Sequence, residues 1–290
     1  MNIGLHDADG EGFKFPNYAL MKISAYHKSI GDEVSWWTPL LSYDKVYSSK
    51  VFTFTPECEY LPLNAIKGGT GYGIYEDLPE EIDSMFPDYS IYPHIDYAIG
   101  FLTRGCPNKC PWCVVPKKEG YVRPYLTWEQ IKRPDSNKIV FMDNNVLACD
   151  HGISEIERLG KTNIQVDFNQ GLDARLITPE IGELLGKLHW NPYVRLACDQ
   201  KSQIPFIEKA HENLIRGGVP KTKFFCYVLV KDVDDALERV EFLRGLGIDP
   251  FAQPYRDFEN KIEPTKEQKR FARWVNMKAI FKTVKWEDYK

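Results

Sequence analysis

Three cysteines fall within eight residues, in the segment Thr103-Arg-Gly-Cys106-Pro-Asn-Lys-Cys110-Pro-Trp-Cys113. Thiolates spaced C-x3-C-x2-C can wrap one face of a small metal cluster and leave its fourth metal without a protein ligand. Iron–sulfur clusters are usually held by four cysteines, so a three-cysteine loop implies an open iron that an external molecule can occupy. Zinc and unliganded thiols are the plainer alternatives. A structural zinc site needs four ligands, generally in C-x2-C pairs, and the nearest imidazole, His94, has no pairing spacing. The chain has seven cysteines, an odd number. That argues for metal or catalytic use over a disulfide framework. Cys58, Cys149, Cys198 and Cys226 are scattered, and the last two lie in or beside apolar runs, where cysteine behaves as a small hydrophobe.

Thr103–Cys113, including the aromatic Trp112 before the last cysteine, closely resembles the signature of the radical S-adenosylmethionine (SAM) superfamily. The resemblance extends from about Tyr97 to Tyr255. It implies a partial (β/α)6 barrel and a [4Fe–4S] cluster on Cys106, Cys110 and Cys113. SAM would chelate the open iron and be cleaved by one electron, from a donor such as flavodoxin or ferredoxin, to a 5′-deoxyadenosyl radical. Asp143-Asn144-Asn145 looks like the polar motif that binds the SAM amino group in this family. A carboxylate pairs well with an ammonium, which singles out Asp143; the bland alternative is an Asp-Asn turn. The substrate is not given by the motif. Nucleic acid or a nucleotide is favoured, because the TRGCP-type motif also resembles that of tRNA methylthiotransferases. Those enzymes bring three further cysteines in their N-terminal unit, where this chain offers only Cys58.

Later polar residues follow the same pattern. Asp167-Phe-Asn169-Gln170-Gly-Leu-Asp173-Ala-Arg175 places many polar groups at a strand end, where they face a ligand cavity in such folds. Arg175 is a partner for the SAM carboxylate or for substrate charge, or else a surface ion-pair partner of Asp173. Asp199 and Gln200 are candidates for the ribose hydroxyls, and Gln253 and Tyr255 for adenine or substrate. Lys67–Gly73 is glycine-rich but no P-loop, since no Gly-Lys-Ser/Thr ending follows. It resembles the Gly-Gly loop of the cobalamin-binding domains that precede some radical SAM barrels. The Asp-x-His-x-x-Gly cobalt-binding motif is missing, so cobalamin is not expected, and His6, Asp7 and Asp9 become candidate substrate contacts. The polar segment they open runs to Gly12. The other reading of the whole chain is a non-catalytic iron–sulfur or zinc protein with a binding or regulatory role.

These residues need elements to position them. Runs rich in Val, Ile, Phe and Tyr predict strands at Tyr97–Thr103, Lys138–Met142, Asn163–Phe168, Tyr193–Ala197, Lys223–Val230 and Asp249–Gln253. Their separations leave room for one crossover helix each, as a parallel sheet requires. Helix signals fall between them: Thr127 with Gln130, Thr178 before Pro179, Asp232 with stops at Gly245 and Gly247. Upstream, Asn2–Leu5, Glu33–Trp37 and Lys50–Phe54 read as strands and Asn17–Ile30 as a helix. That predicts a small Rossmann-like α/β unit over residues 1–95, with Asp77–Pro93 as its linker to a barrel over residues 96–258. Lys261–Lys290 holds nine Lys/Arg against four Asp/Glu. Thr265 with Gln268 starts a helix there whose apolar stripe is Phe271, Trp274, Val275 and Ile280. This basic extension, residues 259–290, either packs on the barrel with a solvated basic face or grips phosphates. With 290 residues, 43% hydrophobic, and a net charge of −4, the chain is an ordinary globular protein and is not coated with basic residues for nucleic acid. No run approaches a membrane span and no signal peptide is evident, which predicts a cytoplasmic protein.

Overall fold

The computed structural model describes residues 1–10, 15–257, 260 and 262–289. The chain divides into two compact units, Met1–Asp96 with Lys117–Glu119, and Tyr97–Pro116 with Gly120–Lys290.

The first unit is a parallel sheet with strand order β2-β1-β3-β4. Its strands are β1 (Asn2–Asp7), β2 (Glu33–Trp36), β3 (Lys45–Ser49) and β4 (Ile66–Gly68), and helix α1 (Tyr18–Ser29) crosses from β1 to β2. Asn17 caps α1 by accepting the Leu20 N–H. Leu20 and Ile23 of this helix bury against Ile3 and Leu5 of β1.

Two expectations fail in this unit. Lys50–Phe54 is not a strand; the third strand is Lys45–Ser49, and pairing with β4 ends at Ser49. Asp9 takes the Val51 N–H at 2.6 Å and so turns the chain out of the sheet. Asp77–Pro93 is not a loose linker either. It carries α2 (Glu80–Asp83), whose Ile82 joins the small core, while Lys22 pairs with Asp83, and Ser24 and Lys28 reach Asp88. Glu11 and Gly12 of the polar segment after β1 lie outside the described residues.

The second unit contains two parallel sheets. One has the order β10-β9-β8-β5, built from β5 (Ala98–Gly100), β8 (Lys138–Phe141), β9 (Gln165–Phe168) and β10 (His189–Trp190). The other is β11 (Val194–Ala197), β12 (Phe224–Val230) and β13 (Asp249–Pro254). Among the described residues a parallel bridge, Leu172 to Leu196, links them. The two-residue strand β10 had no signal in the sequence. Tyr97–Thr103 divides into β5 and the short β6 (Thr103–Arg104). β6 pairs antiparallel with β7 (Arg123–Pro124), beyond the helical turn α3 (Val115–Lys118). The division has a cause: Asp143 takes both the Leu102 and Thr103 N–H groups and pulls them from the sheet.

Helices α4 (Trp128–Ile131), α5 (Asp150–Leu159), α6 (Pro179–Gly186), α7 (Ile204–Arg216) and α8 (Val233–Leu246) connect the strands. Thr127 with Gln130 forms a capping box, Thr178 caps α6 with Pro179 following, and Asp232 caps α8, which ends at the left-handed Gly247. Where α6 meets α7 the backbones touch. A Cβ on Gly217 would sit 2.0 Å from the Gly182 carbonyl oxygen, so only glycine fits there. Along β12 the residues alternate, with Phe224, Cys226, Val228 and Val230 buried and Phe225, Tyr227 and Leu229 half-buried. The buried set packs on the helices; Phe225, Tyr227 and Leu229 face the opposite side of the sheet. The C-terminal helices α9 (Lys266–Asn276) and α10 (Lys278–Thr283) belong to the same core, through fully buried Phe271 and Trp274 and nearly buried Val275 and Phe281. Lys261 and Lys290 of that segment lie outside the described residues.

Candidate metal centre and cofactor site

The cysteine loop leaves β6 through Gly105, which has φ +82° and no room for a side chain. A Cβ there would meet the Tyr121 carbonyl oxygen at 2.4 Å. The Cys106 N–H donates to the Gly120 carbonyl and the Cys113 N–H to the Cys110 carbonyl, closing the loop into a compact turn. Cys106 and Cys110 are half-buried and Cys113 is exposed at its edge. Burial pushes the Cys110 thiol up and nearby Arg175 opposes it; burial likewise raises Cys113, against the N–H of Val115. The three thiols feel one another electrostatically, and Cys110 and Cys113 both feel Asp199. Among the described residues no three His, Cys, Asp or Glu side chains converge on one point as a ready-made metal site.

One carboxylate organises the surroundings. Asp173 accepts from Asn108 Nδ2 inside the cysteine loop at 3.0 Å and from Asn145 Nδ2 at 3.1 Å. It also takes Arg175 Nε at 2.7 Å and Nη2 at 2.6 Å. Burial would raise Asp173, but Arg175 and Asn108 hold it below the usual carboxylate value. Asn145 Nδ2 also lies 3.7 Å from Cys106 Sγ. Its Oδ1 is buried and, among the described residues, has no partner. The ion pair with Asp173 is therefore the arrangement Arg175 adopts. Asp173 was legible only as that partner; its role as the junction depends on contacts 28 and 65 residues away.

Asp143 is bonded within the protein. It is buried, and its carboxylate accepts the Leu102 N–H (3.1 Å), the Thr103 N–H (2.5 Å) and the Thr103 hydroxyl (2.7 Å). Burial still outweighs these donors and lifts its pKa to about 6. These bonds make it the anchor of the segment entering the cysteine loop, where the sequence suggested a contact to the SAM amine. Asn144 beside it is half-buried.

Trp112 meets a cation the sequence reading overlooked. Lys231 Nζ lies 4.3 Å from the Trp112 ring centroid and 4.4 Å from that of Tyr255, which places both rings at the end of β12. Asp199 accepts the Leu229 N–H at 3.1 Å, and burial raises its pKa against that bond. Gln200 and Gln203 form a capping pair at the next turn. Asn169 is engaged through its backbone, donating to Phe141 and accepting the Tyr227 hydroxyl at 2.9 Å. Gln170 and Gln253 are exposed. Asp167, Arg195 and Tyr227 add an unforeseen group, with Arg195 forked onto Asp167 at 2.6 and 2.7 Å and 3.4 Å from the Tyr227 hydroxyl. Cys198 and Cys226 are buried with thiols pushed up by burial, as structural cysteines are.

No family model matches the chain. No curated protein matches it either. Among solved structures, the fold is similar to that of a radical SAM methyltransferase, TsrM, from Kitasatospora setae, determined with tryptophan substrate and the SAM analogue aza-SAM bound. The TM-score is 0.60 over 88% of this chain and 73% of that chain, at 10% sequence identity. The likeness is one of fold. It establishes an α/β architecture with parallel sheets of that kind, and no helix among the described residues is long and apolar enough to cross a membrane.

Proposed function

We propose that the protein is a radical SAM enzyme, which reductively cleaves SAM at a [4Fe–4S] cluster on Cys106, Cys110 and Cys113 to give a 5′-deoxyadenosyl radical. The observation that carries this is the three-cysteine loop following β5 and β6 of a fold similar to that of TsrM. The donor set fits the group. The loop supplies three soft ligands and no fourth, an amide nitrogen lies near the Cys106 sulfur, and a buried amide oxygen beside it lacks a partner among the described residues. When bound, such a cluster supplies the electron for cleavage and an open iron for the SAM amine and carboxylate.

In this reading the chain's own groups position and neutralise. Asn145 donates to the Cys106 thiolate, and Asp173 fixes Asn145 and Asn108, hence the loop, in one arrangement. Asp143 holds the loop's entry. Trp112, Lys231 and Tyr255 offer a flat cationic wall to the adenosyl portion, Asp199 an acceptor for ribose hydroxyls, and Asn144, Asn169, Gln170 and Gln253 further polar contacts. We read β5, β8, β9, β11, β12 and β13 as the six strands of a partial (β/α)6 barrel, supported by the parallel bridge between the two sheets. In domain terms this gives an α/β unit over residues 1–95, the barrel over 96–258 and a helical extension over 259–290. The packing of α9 favours a structural role for that extension over phosphate binding. Flavodoxin or ferredoxin is the expected electron donor. A nucleotide or nucleic acid remains the favoured substrate on motif grounds, and cobalamin is not part of this reading.

Anaerobic reconstitution tests it. The protein should become brown, bind about four irons per chain, and convert SAM to 5′-deoxyadenosine with dithionite. The triple Cys106/Cys110/Cys113→Ala protein should stay folded and do neither. Stoichiometric zinc without iron-dependent absorbance would refute the cluster. Iron loading without SAM cleavage would instead favour the non-catalytic iron–sulfur reading.

A further inference from the structure

The first unit has a cavity of its own, of about 400 Å³, at the carboxyl ends of β1 and β2. In the order β2-β1-β3-β4 the winding reverses between β1 and β3; the cavity lies on the other side of β1, against β2, and shares β1 with that switch point. Open parallel sheets bind ligands at such switch points. The volume suits a small molecule. The walls are aromatic: Trp36 meets Tyr92 edge-on at 5.2 Å, Trp37 meets His6 edge-on at 5.5 Å, and His94 stands 6.1 Å from Tyr92. Trp36 remains 41% exposed.

The carboxylate among these rings is that of Asp7. Its carboxylate accepts the Tyr92 hydroxyl at 2.7 Å and the Asp9 N–H at 3.2 Å, and Asn17 lies close enough to bond it as well. Two carboxylate oxygens offer about four acceptor positions, and the three donors among the described residues leave one for a ligand. His6 is held by Ser48 across the switch point, Nδ1 to Oγ 2.8 Å. A carboxylate among electron-rich ring faces selects against anions and favours a cation or a strong N–H donor on a flat ring.

We propose that this cavity binds a flat aromatic cation, a bicyclic nitrogen heterocycle or aryl amidine with its N–H edge on Asp7 and its ring against Trp36 and Tyr92. The cavity is lined by residues of the first unit, and the proposed binding needs neither iron nor SAM. A matched charge series measures it. The full-length protein is titrated with 2-naphthamidine, neutral 2-naphthamide and anionic 2-naphthoate by calorimetry and ligand-observed NMR. The amidine should bind at least ~10-fold tighter than the amide, and the carboxylate more weakly than both. Asp7→Asn should bring the amidine down to the level of the amide and leave the amide within about twofold. Trp36→Leu should weaken both, with unchanged circular dichroism. Equal binding of the three compounds to the unaltered protein, or no binding, would overturn the proposal whatever the variants do. So would an amidine preference that survives Asp7→Asn.

Discussion

At the scale of single residues, two carboxylates divide the work around the cysteine loop. Asp173 is a junction. Asp173→Ala strips the acceptor from half-buried Asn108, buried Asn145 and exposed Arg175 at once, and the buried amide left unmatched is the costly one. We expect about 1–3 kcal/mol of lost stability in urea titration and less than about half the wild-type iron after reconstitution, with single Asn108→Ala or Arg175→Ala changes milder. Undiminished iron in Asp173→Ala would remove it as the loop's organiser. Asp143 gives a pH signature. Its folded pKa of about 6 lies above the ordinary 3.8, so the folded chain binds the proton more tightly than the unfolded one. Its contribution is therefore fully present below pH 3.8 and is lost as pH rises through 6, a change of roughly 3 kcal/mol. The stability of wild type relative to Asp143→Asn should fall by that order between pH 4 and 7. A flat difference would mean that its three donors, and not burial, dominate.

At the scale of elements, Arg239 ties helix α8 to the strand ends. It is buried, and Nη1 reaches the Cys198 carbonyl at 2.6 Å while Nη2 reaches that of Leu229 at 3.0 Å, on either side of Asp199. Arg239→Leu should cost about 3 kcal/mol, because two buried carbonyls lose their donor, while Asp235, already partly exposed, returns to water. Chemical denaturation checks this; a loss under about 1 kcal/mol would mean that water replaces the guanidinium. The strands and caps were largely legible in the sequence, because Lys138–Phe141, Phe224–Val230 and their helices carry local signals: apolar runs, capping pairs, a left-handed glycine stop. The elements misread were those set by distant contacts. Lys50–Phe54 has strand composition but is turned aside by Asp9, and Asp77–Pro93 has linker composition but is drawn in by Ile82, Lys22 and Lys28. The same holds in the site. The cysteines were visible from spacing alone, whereas Asp173 and Lys231 acquire meaning only once residues far along the chain meet them.

At the scale of the whole molecule, the missing cobalt-binding motif makes a negative prediction. Protein produced in cells supplied with cobalamin should purify without a corrinoid spectrum, and its SAM cleavage should not respond to added cobalamin. One cobalt per chain would move the function toward methyl transfer. A last consequence concerns synthesis. Every strand ladder among the described residues is parallel except the short β6–β7 pairing, so each strand waits for a crossover before it has a partner. β12, an unbroken apolar run, has β11 behind it on the ribosome but β13 still unmade. At ordinary translation speeds that interval lasts on the order of a few seconds, with one edge of the stickiest strand open to solvent. Output of soluble protein should thus depend on how quickly the ribosome passes the α8 codons, a kinetic vulnerability that the finished fold conceals.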